Sequence, residues 1–457
     1  MAKNTPGLVI IGSGSGGLPV ASELKKHGAN YEIKVFTRDT DIAYSPCGIP
    51  FVLGGDIPSF DDLLMEKKVH YTEMGIEIRD GVEVTRIDTD NNRIFVGSEE
   101  VEYDFLVIAT GTFHSALAIE DGGLGGVFSA HTKTLRAAKE LDAYLRTQGA
   151  GNAVILGSGS IDLEMAVACL KRGMKVTVVE KRAQLLQDWL DVEMADVVRA
   201  HLEGLGIRVI TGKKARRIKG DVNGKAASVE FGEESIEAQV VFQGTTFKPY
   251  VRLALEDGIE VSEHGIVIDE ACRVKKAGHI LPNVFASGAC TQAIDIVTGR
   301  ADFFFRASSS IKKAWVIADR LMGRMSILKP QVNPMVTVLG GLHIGCVGIN
   351  SQKAAAHGIR VIAGSALGIS NSRYYTGGRT IHMRLIFEDG SNRLIGGQVI
   401  SRERGVKERI DALGMAICCG LTTEELSGLE TSYSPPVAHL TDVMTEAARD
   451  VKRDNEA

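Results

Sequence analysis

A glycine-rich turn between a short apolar strand and a helix is the feature that most restricts the fold of this chain. The segment GLVII is followed by GSGSGG, LPVASELKKHG and EIKVF, which predicts strand, turn, helix and strand over residues 7 to 36. Gly12, Gly14 and Gly17 form the pattern GxGxxG at the turn. These glycines allow a tight turn, a close approach of backbone N–H groups to a pyrophosphate, and packing of the helix on the sheet. A parallel sheet with a dinucleotide phosphate site is therefore predicted.

The same arrangement recurs 145 residues later, in NAVILGSGSIDLEMAVACLKRGMKVTVVE. Gly157 and Gly159 hold the first two motif positions, whereas Asp162 stands at the third. A carboxylate near a pyrophosphate is repulsive, so we expect weak dinucleotide binding at this turn. Glu180 closes the next strand, where a carboxylate holds the ribose 2′-hydroxyl of NADH, and a slight preference for NADH follows. The basic side chains that could meet the 2′-phosphate of NADPH instead are Lys171, Lys181 and Arg182.

Composition and charge describe a large metabolic protein rather than a nucleic-acid or membrane binder. The 457 residues are 44% hydrophobic, enough for roughly two to four domains. The net charge is −5 and no block of basic residues occurs, which argues against a nucleic acid or an anionic membrane as partner. No run of eighteen apolar residues is present, and the N-terminal GLVIIGSGSGG is too short and glycine-broken for a signal peptide. A cytoplasmic protein that acts on a small molecule is expected.

The cysteines do not follow the pattern of a disulfide framework or of a zinc site. The chain contains seven cysteines, which are widely scattered and form no CxxC motif. No metal is therefore expected, and most of the cysteines should be buried and inert. One stands apart because a proline and a glycine flank it in AYSPCGIPFVLGG. The seven are Cys47, Cys169, Cys272, Cys290, Cys346, Cys418 and Cys419.

Further segments indicate how the rest of the chain is organised. YDFLVIATGT predicts a strand that ends in a small-residue turn at Ala109, Thr110 and Gly111, and NVFASGAC predicts another that ends at Gly288. Both would return the chain to the first domain. From about residue 331, NPMVTVLGGLHIGCVGI, RTIHMRLIFED and LIGGQVIS predict antiparallel strands, while GVKERIDALGMAICCG and TTEELSGL predict helices. A third, α+β domain is therefore expected.

Together these motifs resemble those of the FAD-dependent pyridine nucleotide-disulfide oxidoreductases. The resemblance rests on the two glycine turns, on ATG and SGAC, and on the C-terminal YSPP, and it extends from about residue 7 to 446. SPCGIPFVLGG is similar to the single-cysteine branch, which contains coenzyme A-disulfide reductase, NADH oxidase and NADH peroxidase. The resemblance implies an α/β fold with two Rossmann-like dinucleotide-binding domains and a C-terminal α+β dimerisation domain.

The resemblance also implies domain boundaries. A discontinuous FAD-binding domain is expected over residues 1–115 and 283–330, with an NAD(P)H-binding domain at 116–282 between its two parts. The dimerisation domain is expected at 331–446. The charged residues 447–457 are expected to be a disordered tail.

The implied cofactors are FAD and NADH or NADPH. The residues matched to FAD binding are Gly12, Gly14, Ser15, Gly16, Gly17, Thr37, Arg38, Ala109, Thr110, Gly111, Gly288 and Ala289. Those matched to the nucleotide donor are Gly157, Gly159, Ser160, Glu164 and Glu180. Thr37 and Ala289 stand where the family has acidic residues that hold the FAD ribose and ribityl chain, although Asp39 is close enough in sequence to substitute for the first. FAD binding is expected to be weaker than usual but retained.

The lone Cys47 predicts chemistry with a sulfur atom from outside the chain. The resemblance places it at the start of a helix over the flavin ring, where a helix N-terminus lowers a thiol pKa. Without a second cysteine beside it, Cys47 can form a mixed disulfide with a small thiol or be oxidised to a sulfenic acid, and the flavin can reduce either. An inert core cysteine is the alternative for an arbitrary cysteine, and the flanking SPCGIPFVLGG argues against it here.

Other residues are matched to the family's active site by resemblance alone. NSRYYTGG points to Tyr374 or Tyr375, and TSYSPPVAH to Tyr433, which would reach across a homodimer and protonate a departing thiolate. The alternative is that these are ordinary strand and turn tyrosines. The residues matched to substrate binding are Lys25, Lys26, Ser45 and His439, although a lysine pair at a helix end also suits a solvated face.

The predicted function is reduction of a small disulfide, persulfide or polysulfide by NAD(P)H, through FAD and the single redox Cys47, with a coenzyme A-type thiol favoured. The first alternative is an NADH oxidase or peroxidase in which Cys47 cycles through a sulfenic acid. The second is a non-catalytic dimer, with or without flavin, which the departures at Thr37, Asp162 and Ala289 would suit. The paired tyrosines and SYSPP favour the reductase.

Overall fold

The protein is described by a computed structural model that covers residues 5–116, 119–132, 134–149 and 151–456. Its first segment contains β1 (Gly7–Ile11), α1 (Leu18–Lys26), β2 (Glu32–Phe36), α2 (Ile49–Leu53), α3 (Lys68–Glu73), β3 (Ile76–Arg79), β4 (Arg86–Asp88), β5 (Arg93–Val96), β6 (Glu99–Glu102), β7 (Phe105–Ile108) and β8 (Thr112–Ala116). The second contains β9 (Val127–Ser129), α4 (Leu135–Gln148), β10 (Asn152–Leu156), α5 (Ser160–Lys171), β11 (Lys175–Val179), α6 (Val192–Gly204), β12 (Arg208–Ile210), β13 (Arg217–Gly220), β14 (Ala226–Phe231), β15 (Glu234–Glu237), β16 (Val240–Gln243) and β17 (Thr245–Pro249).

The remaining elements belong to two further segments. The third contains α7 (Arg252–Glu256), β18 (Val261–Ser262), β19 (Gly265–Ile266), β20 (Arg273–Lys276), β21 (His279–Ala286), β22 (Ala293–Ile294), β23 (Ala301–Asp302) and α8 (Ala307–Leu321). The fourth contains β24 (Met335–Leu339), β25 (Leu342–Gly348), α9 (Ser351–Ala356), β26 (Val361–Ile369), β27 (Thr380–Glu388), β28 (Leu394–Ser401), α10 (Val406–Cys419), α11 (Thr423–Ser427) and α12 (Val443–Glu456). Short 3₁₀ turns lie at Pro46–Gly48, Phe60–Leu63 and Gly288–Cys290.

A six-stranded sheet forms the centre of the first domain. Its strand order is β20-β21-β7-β1-β2-β3, and every neighbouring pair is parallel except β20 and β21. In β1, Leu8 and Ile10 pack into one core cluster and Val9 and Ile11 into another. A parallel strand covered on both faces carries a continuous apolar run, as GLVII does. The predicted Rossmann-like fold of this domain is confirmed.

The second domain contains a five-stranded parallel sheet with the order β12-β11-β10-β16-β9. Ala153, Val154 and Ile155 of β10 are at most 1% exposed, so this strand too is covered on both faces. A three-stranded antiparallel sheet of β13, β14 and β15 packs beside it through Ile218 and Val229, which share a cluster with Val154. The chain thus contains the second Rossmann-like unit that the repeated glycine turn predicts.

The third domain is an antiparallel sheet with the order β24-β25-β28-β27-β26. Apolar residues of α10 and α12 pack on it, among them Leu413 and Ala447, which share a cluster with Leu385 and Val399. The predicted strands and the helices α10 and α11 are present, and the α+β character of this domain is confirmed. Strand β26 and helix α9 were not predicted.

The NAD(P)H-binding domain, or donor domain, does not end at residue 282 as predicted. Strand β17 leaves that domain by pairing antiparallel with β8. Leu253, Ala254 and Ile259 then pack into the core of the first sheet, and β20 pairs with β21 at its edge. The chain therefore returns to the first domain about thirty residues earlier than expected, because the apolar side chains of α7 complete the core on one face of that sheet.

The predicted disordered tail at 447–457 is also wrong over its first half. Helix α12 extends from Val443 to Glu456, and Ala447, Ala448 and Val451 are at most 2% exposed. These positions, together with Val443, recur with helical spacing and face β26 and β27. The apolar residues of α12 up to Val451 therefore dock on the sheet.

The short helix α2 of the first domain packs directly on α5 of the second. Ile49 and Leu53 of α2 belong to the same core cluster as Leu163 of α5. At the end of α5, Lys171 Nζ lies 2.5 Å from both carboxylate oxygens of Asp56. The segment that follows Cys47 is therefore fixed against the helix that begins at the second glycine turn.

Within the part of the chain that the structure describes, none of the helices combines the length and the apolar character needed to span a bilayer.

Candidate active site

The first glycine turn joins β1 to α1 and is tightly packed on one side. Gly12 has φ +113°, and a Cβ there would lie 2.1 Å from the carbonyl oxygen of Ala109. A Cβ on Gly17 would lie 2.0 Å from the carbonyl oxygen of Gly12. By contrast, a Cβ on Gly14 would meet nothing within 4 Å. The open side at Gly14 leaves room for a phosphate group at the N-terminus of α1.

A cleft of about 310 Å³ is lined by this turn and by the ends of β2 and β7. The predicted cofactor residues that line it are Gly12, Gly14, Thr37, Arg38, Ala109, Thr110 and Gly111. The turn also contains Ser15, which is half-buried, and the buried Gly16 and Gly17. The structure therefore brings the two separate motifs GSGSGG and ATG to one site.

The end of β2 carries hydroxyl groups where a carboxylate was expected from the family resemblance. The Thr37 hydroxyl accepts hydrogen bonds from the Ser13 hydroxyl at 3.1 Å and from the backbone N–H of Asp39 at 3.3 Å. Asp39 and Glu83 both line the cleft. Glu83 was missed in the sequence because it lies in a loop after β3 without a recognisable motif. Two carboxylates are thus available to the cleft beside Thr37.

The 3₁₀ turn Gly288–Cys290 packs directly against the first glycine turn. Gly288 has φ +82°, and a Cβ on Gly16 would lie 2.7 Å from the Gly288 Cα atom. Ala289 is half-buried between Gly288 and the buried Cys290. The two backbone turns therefore touch: a side chain on Gly16 would collide with Gly288, and the positive φ of Gly288 disfavours a side chain there.

The second glycine turn is partly occupied by its own third motif residue. The backbone N–H of Gly159 donates to Asp162 Oδ2 at 2.9 Å, and a Cβ on Gly157 would lie 2.7 Å from the same oxygen. Among the described residues, Asp162 Oδ1 has no hydrogen-bond partner. Burial raises the pKa of Asp162 to about 7, against the opposing effect of the Gly159 hydrogen bond. The carboxylate thus takes an N–H group that a pyrophosphate would use.

We expect Asp162→Gly to bind NADH more tightly, with a dissociation constant lower by about tenfold. The substitution frees the Gly159 N–H and removes a negative charge from the phosphate site. Stopped-flow flavin reduction at increasing NADH concentration measures this constant. Asp162→Asn separates the loss of charge from the gain of space, and Asp196→Asn on the exposed face of α6 is the control. An unchanged constant in Asp162→Gly would mean that the carboxylate does not compete with the nucleotide.

Glu180 lies beside the second glycine turn and is already engaged by the protein. Its carboxylate accepts from the Ser158 hydroxyl at 2.6 Å and from the Arg182 backbone N–H at 2.8 Å. The Arg182 guanidinium lies 3.4 Å from Glu180 and 2.7 Å from Asp188. A carboxylate for a ribose hydroxyl and a cation for a 2′-phosphate therefore stand side by side, so the preference for NADH stays a prediction. Lys171 is paired with Asp56 instead.

Cys47 lies in the 3₁₀ turn that leads into α2, and its side chain is exposed. The turn is held by Ser45, whose backbone N–H donates to the carbonyl of Leu63 at 2.9 Å. The other exposed thiols, Cys418 and Cys419, lie at the end of α10, and the remaining four are buried. Cys47 is thus the exposed thiol that lies in the domain of the first cleft.

The expected lowering of the Cys47 pKa by a helix N-terminus is wrong for this structure. Although the side chain is exposed, desolvation by the surrounding protein atoms raises the pKa of the Cys47 thiol. The negative charge of Glu164 raises it further. Arg306 and a backbone hydrogen bond act in the opposite direction. Helix α2 has only five residues, so its dipole is too small to dominate.

Glu164 of α5 brings an ionisable group from the donor domain toward the thiol. Its Oε1 accepts a hydrogen bond from the Thr337 hydroxyl at 2.5 Å. Burial raises the pKa of Glu164 to about 7, while Thr337 and then Arg306 act in the opposite direction. A carboxyl group with such a pKa can hold or release a proton near neutral pH. Ser160 begins the same helix next to the glycine turn.

Arg306 is a site residue that the sequence did not reveal. Its guanidinium lies 4.4 Å from the ring centroid of Trp189, and its Nε has no hydrogen-bond partner among the described residues. Burial lowers its pKa, opposed by Cys346, Cys47 and Glu164 in that order. The residue precedes α8 in FFFRASSS, which contains no known motif. A cation close enough to lower the pKa of Cys47 favours the thiolate, which is the reactive form.

Two of the predicted tyrosines form a pair on the third domain. The hydroxyl groups of Tyr374 and Tyr433 lie 2.7 Å apart, and the Ser372 hydroxyl lies 3.1 Å from that of Tyr433. Hydrogen bonds from Ser372 and Tyr374 lower the pKa of Tyr433, which makes it the better proton donor of the pair. Tyr375 shares none of these hydroxyl contacts in the described structure, and its backbone N–H donates to Ser372. Within one protomer, the ionisable groups that act on Cys47 are Glu164 and Arg306 rather than these tyrosines.

The predicted substrate residues are dispersed. The Lys25 amine donates to the carbonyl of Tyr31 at 2.8 Å and is therefore occupied, whereas Lys26 is exposed at the end of α1. Ser45 lies beside Cys47, as described above. His439 lines a separate hollow of about 220 Å³ on the third domain. Only Ser45 is brought to the thiol within one protomer.

Known families match almost the whole chain. Residues 6–314 match the family described as pyridine nucleotide-disulphide oxidoreductase. The chain belongs to this family. Residues 335–444 match the dimerisation domain of the same family.

Relatives named as oxidoreductases match nearly the full length of this family member. It is similar to an NADH oxidase from Methanocaldococcus jannaschii, with 34% identity over 449 residues, which are 97% of this chain and 98% of that protein. A CoA-dependent NAD(P)H sulfur oxidoreductase from Pyrococcus furiosus is 29% identical over 448 residues, 97% of this chain and 99% of that protein. The structure of an NAD-dependent persulfide reductase from A. fulgidus superposes with a TM-score of 0.92 at 28% identity, over 98% of this chain and 83% of that one.

FAD fits the first cleft of this family member. The residues that would hold its ADP half are the open turn at Gly14, the N-terminus of α1 and the hydroxyl of Thr37, with Asp39 and Glu83 as the available carboxylates. In the described part of the chain, His, Cys, Asp and Glu side chains form no cluster of three or more that could hold a metal ion. The site is therefore organised around a dinucleotide.

Proposed function

We propose that this protein is an FAD-dependent reductase that uses NAD(P)H to reduce a small disulfide, persulfide or polysulfide through Cys47. The observation that carries the proposal is the exposed Cys47 thiol, whose pKa responds to the charges of Glu164 and Arg306 and which lies in the domain of the FAD cleft. The two glycine turns support binding of both dinucleotides. The relatives named sulfur oxidoreductase and persulfide reductase support the sulfur substrate.

The sulfur chemistry follows from the lone thiol. The Cys47 thiolate attacks one sulfur of R–S–S–R, the S–S bond breaks, and the released RS⁻ takes a proton from a tyrosine hydroxyl. The new mixed disulfide, Cys47–S–S–R, is then cleaved by one electron pair and one proton to give RSH and the Cys47 thiolate. The sum is R–S–S–R + NAD(P)H + H⁺ → 2 RSH + NAD(P)⁺. FAD, when bound, supplies the route by which the electron pair of NAD(P)H reaches sulfur.

The chain's own residues prepare these steps. Arg306 stabilises the negative charge on Cys47, which compensates in part for the effect of Glu164 and of the surrounding protein. Glu164 carries a proton at the boundary between the donor helix and the thiol, and its pKa of about 7 allows it to exchange that proton at neutral pH. The contact of α2 with α5 fixes the distance between these groups.

The protein is proposed to act as a homodimer. The third domain matches the family's dimerisation domain, and it carries the Tyr374–Tyr433 pair on an exposed surface. Val437 and Leu440 beside that pair are 73% and 69% exposed, which is unusual for such apolar side chains. A partner that covers this surface would bring the tyrosines to its own Cys47.

A coenzyme A-type thiol is the favoured substrate. The support comes from the name of the Pyrococcus furiosus relative, which describes a CoA-dependent enzyme. The predicted lysine pair adds less than expected, since the Lys25 amine is bonded to Tyr31 and only Lys26 is free to meet a nucleotide phosphate.

A second candidate is an NADH oxidase or peroxidase in which Cys47 becomes a sulfenic acid. The relative from Methanocaldococcus jannaschii carries that name at 34% identity. The paired tyrosine hydroxyls favour the reductase, because departure of a thiolate needs a proton donor.

We expect FAD to copurify with the protein and NAD(P)H to be oxidised faster with a disulfide or polysulfide than with oxygen. The reason is that the FAD turn is sterically intact and Cys47 is exposed. The absorbance of the heat-released supernatant measures the flavin, and loss of absorbance at 340 nm measures turnover under anaerobic and aerobic conditions. Folded protein without flavin would contradict the proposal, and oxidation that depends on oxygen alone would favour the second candidate.

A further inference from the structure

A buried lysine lies directly behind the turn that meets the FAD site. Lys313 of α8 is 0% exposed, whereas its neighbour Lys312 is exposed. The Lys313 amine donates to the Thr291 hydroxyl at 2.6 Å and to the carbonyl groups of Gly288 and Thr291, both at 3.3 Å. All three acceptors belong to the segment Gly288–Thr291. Burial of an ammonium group away from water costs free energy of folding unless other groups stabilise its charge.

Among the described residues, no anion balances this charge. In the described part of the structure, no carboxylate forms an ion pair with Lys313, and its three acceptors are neutral oxygens. Burial lowers its pKa to about 8, and the groups that oppose this effect are the buried thiols Cys272 and Cys290. At neutral pH the amine therefore stays mostly charged inside the first domain.

The position of Lys313 connects this charge to the dinucleotide site. Gly288, whose carbonyl it contacts, also touches Gly16, since a Cβ on Gly16 would lie 2.7 Å from the Gly288 Cα atom. Gly16 belongs to the turn at the N-terminus of α1, where a pyrophosphate is bound in folds of this kind. Lys313 therefore lies next to the turn where a pyrophosphate, with two negative charges, would bind. Such a ligand could supply the counter-charge that Lys313 lacks.

We propose that Lys313 is a positioning residue for FAD, whose buried positive charge behind the Gly288–Thr291 turn attracts the pyrophosphate to the first glycine turn. The attraction between this charge and the pyrophosphate restores some of the FAD affinity that is lost with the carboxylate at position 289, where this chain has Ala289 and the family has an acidic FAD ligand. In the absence of FAD the uncompensated amine destabilises the first domain, and FAD binding supplies the counter-charge. This inference rests on the proposed FAD binding.

Two variants and a matched control test the proposal on the apoprotein. Lys313→Met removes the charge and keeps the length of the side chain, Lys313→Gln removes the charge and keeps an N–H donor, and Lys312→Met is the exposed control on the same helix. We expect FAD to bind about tenfold more weakly to both Lys313 variants, as measured by flavin fluorescence, and unchanged to the control. The Lys313→Met apoprotein should unfold at the same or a higher temperature than the wild type.

Competition with ADP and adenosine separates charge from structure. The dissociation constant of ADP, corrected for the FAD dissociation constant of each protein, should rise in both Lys313 variants, while that of adenosine should be the same in all proteins. An unchanged FAD dissociation constant, or an equal loss for ADP and adenosine, would overturn the proposal and leave Lys313 a structural residue. Where Lys313→Met does not fold, Lys313→Gln decides the result. Failure of the wild type to bind FAD would instead refute the proposed function.

Discussion

We expect Cys47→Ser to lose disulfide reduction by about a thousandfold or more while it keeps its FAD and still accepts hydride from NAD(P)H. A serine hydroxyl is not ionised near pH 7 and cannot form a mixed disulfide, so the step that needs an external sulfur stops. Hydride transfer from the nicotinamide needs the two dinucleotides and no thiol. Steady-state turnover with a disulfide and stopped-flow flavin reduction measure the two steps separately.

Cys418→Ser is the matched control, since Cys418 is also exposed but lies on α10 of the third domain. It should turn over like the wild type. Disulfide reductase activity retained in Cys47→Ser would assign the chemistry to the flavin alone or to another thiol such as Cys290, which is buried and whose thiol donates to the Ser287 carbonyl.

The mass of the wild-type protein distinguishes the two candidate functions. Cys47 of the reductase should carry a small thiol as isolated, and treatment with reductant should remove a mass that matches that thiol. In an oxidase or peroxidase, reductant should remove one oxygen atom instead.

We expect Tyr433→Phe to slow disulfide turnover by about a hundredfold without changing flavin reduction by NAD(P)H. The Tyr433 hydroxyl accepts or donates in a pair with Tyr374 and Ser372, and these contacts lower its pKa, so its loss removes the best-placed proton donor. Tyr375→Phe is the control, because Tyr375 lies in the same exposed segment outside the hydroxyl pair. Equal turnover in Tyr433→Phe and in the wild type would make the tyrosine pair structural.

A mixed dimer tests whether the site is shared. When Cys47→Ser and Tyr433→Phe chains are combined in one dimer, a shared site leaves one of the two sites intact, because both substitutions fall in the other. Activity close to half that of the wild type is then expected. A site within one protomer would leave both sites defective, and the mixed dimer would be nearly inactive.

The glycine turns could be predicted because their steric requirement is local. At Gly12 and Gly17 a side chain would collide with the backbone about 2 Å away, so the pattern appears directly in the sequence. The continuous apolar runs of β1 and β10 likewise follow from burial on both faces. These features were sufficient for the three domains and for seven of the residues that line the first cleft.

Arg306 and Lys313 could not be predicted, because their roles depend on segments far away in the chain. Arg306 lowers the pKa of Cys47 across a sequence separation of 259 residues, and Lys313 is connected to the first glycine turn through Gly288. The orientation of Asp162 was equally inaccessible, since repulsion predicted a carboxylate aimed at the phosphates rather than one bonded to Gly159. No local pattern distinguishes these residues from solvated charges.

Helix α12 shows a signal that was present and overlooked. Val443, Ala447, Ala448 and Val451 have the spacing of one helical face, and all four are at most 4% exposed. The charges between them concealed the pattern. The early return of the chain to the first domain was harder to see, because β18, β19 and β20 have at most four residues each.

The packing of α2 on α5 has a consequence for attempts to recombine this protein with its relatives. Exchange of the donor domain is a natural way to change the preference between NADH and NADPH, and the domain boundary near residue 249 invites it. However, Ile49 and Leu53 share one core with Leu163, and Asp56 is paired with Lys171. A chimera that receives the donor domain alone would combine core side chains from two different proteins. The resulting packing mismatch would lie next to the reactive thiol. Residues 49–63 should therefore be transferred together with the donor domain, so that both halves of this core come from one protein.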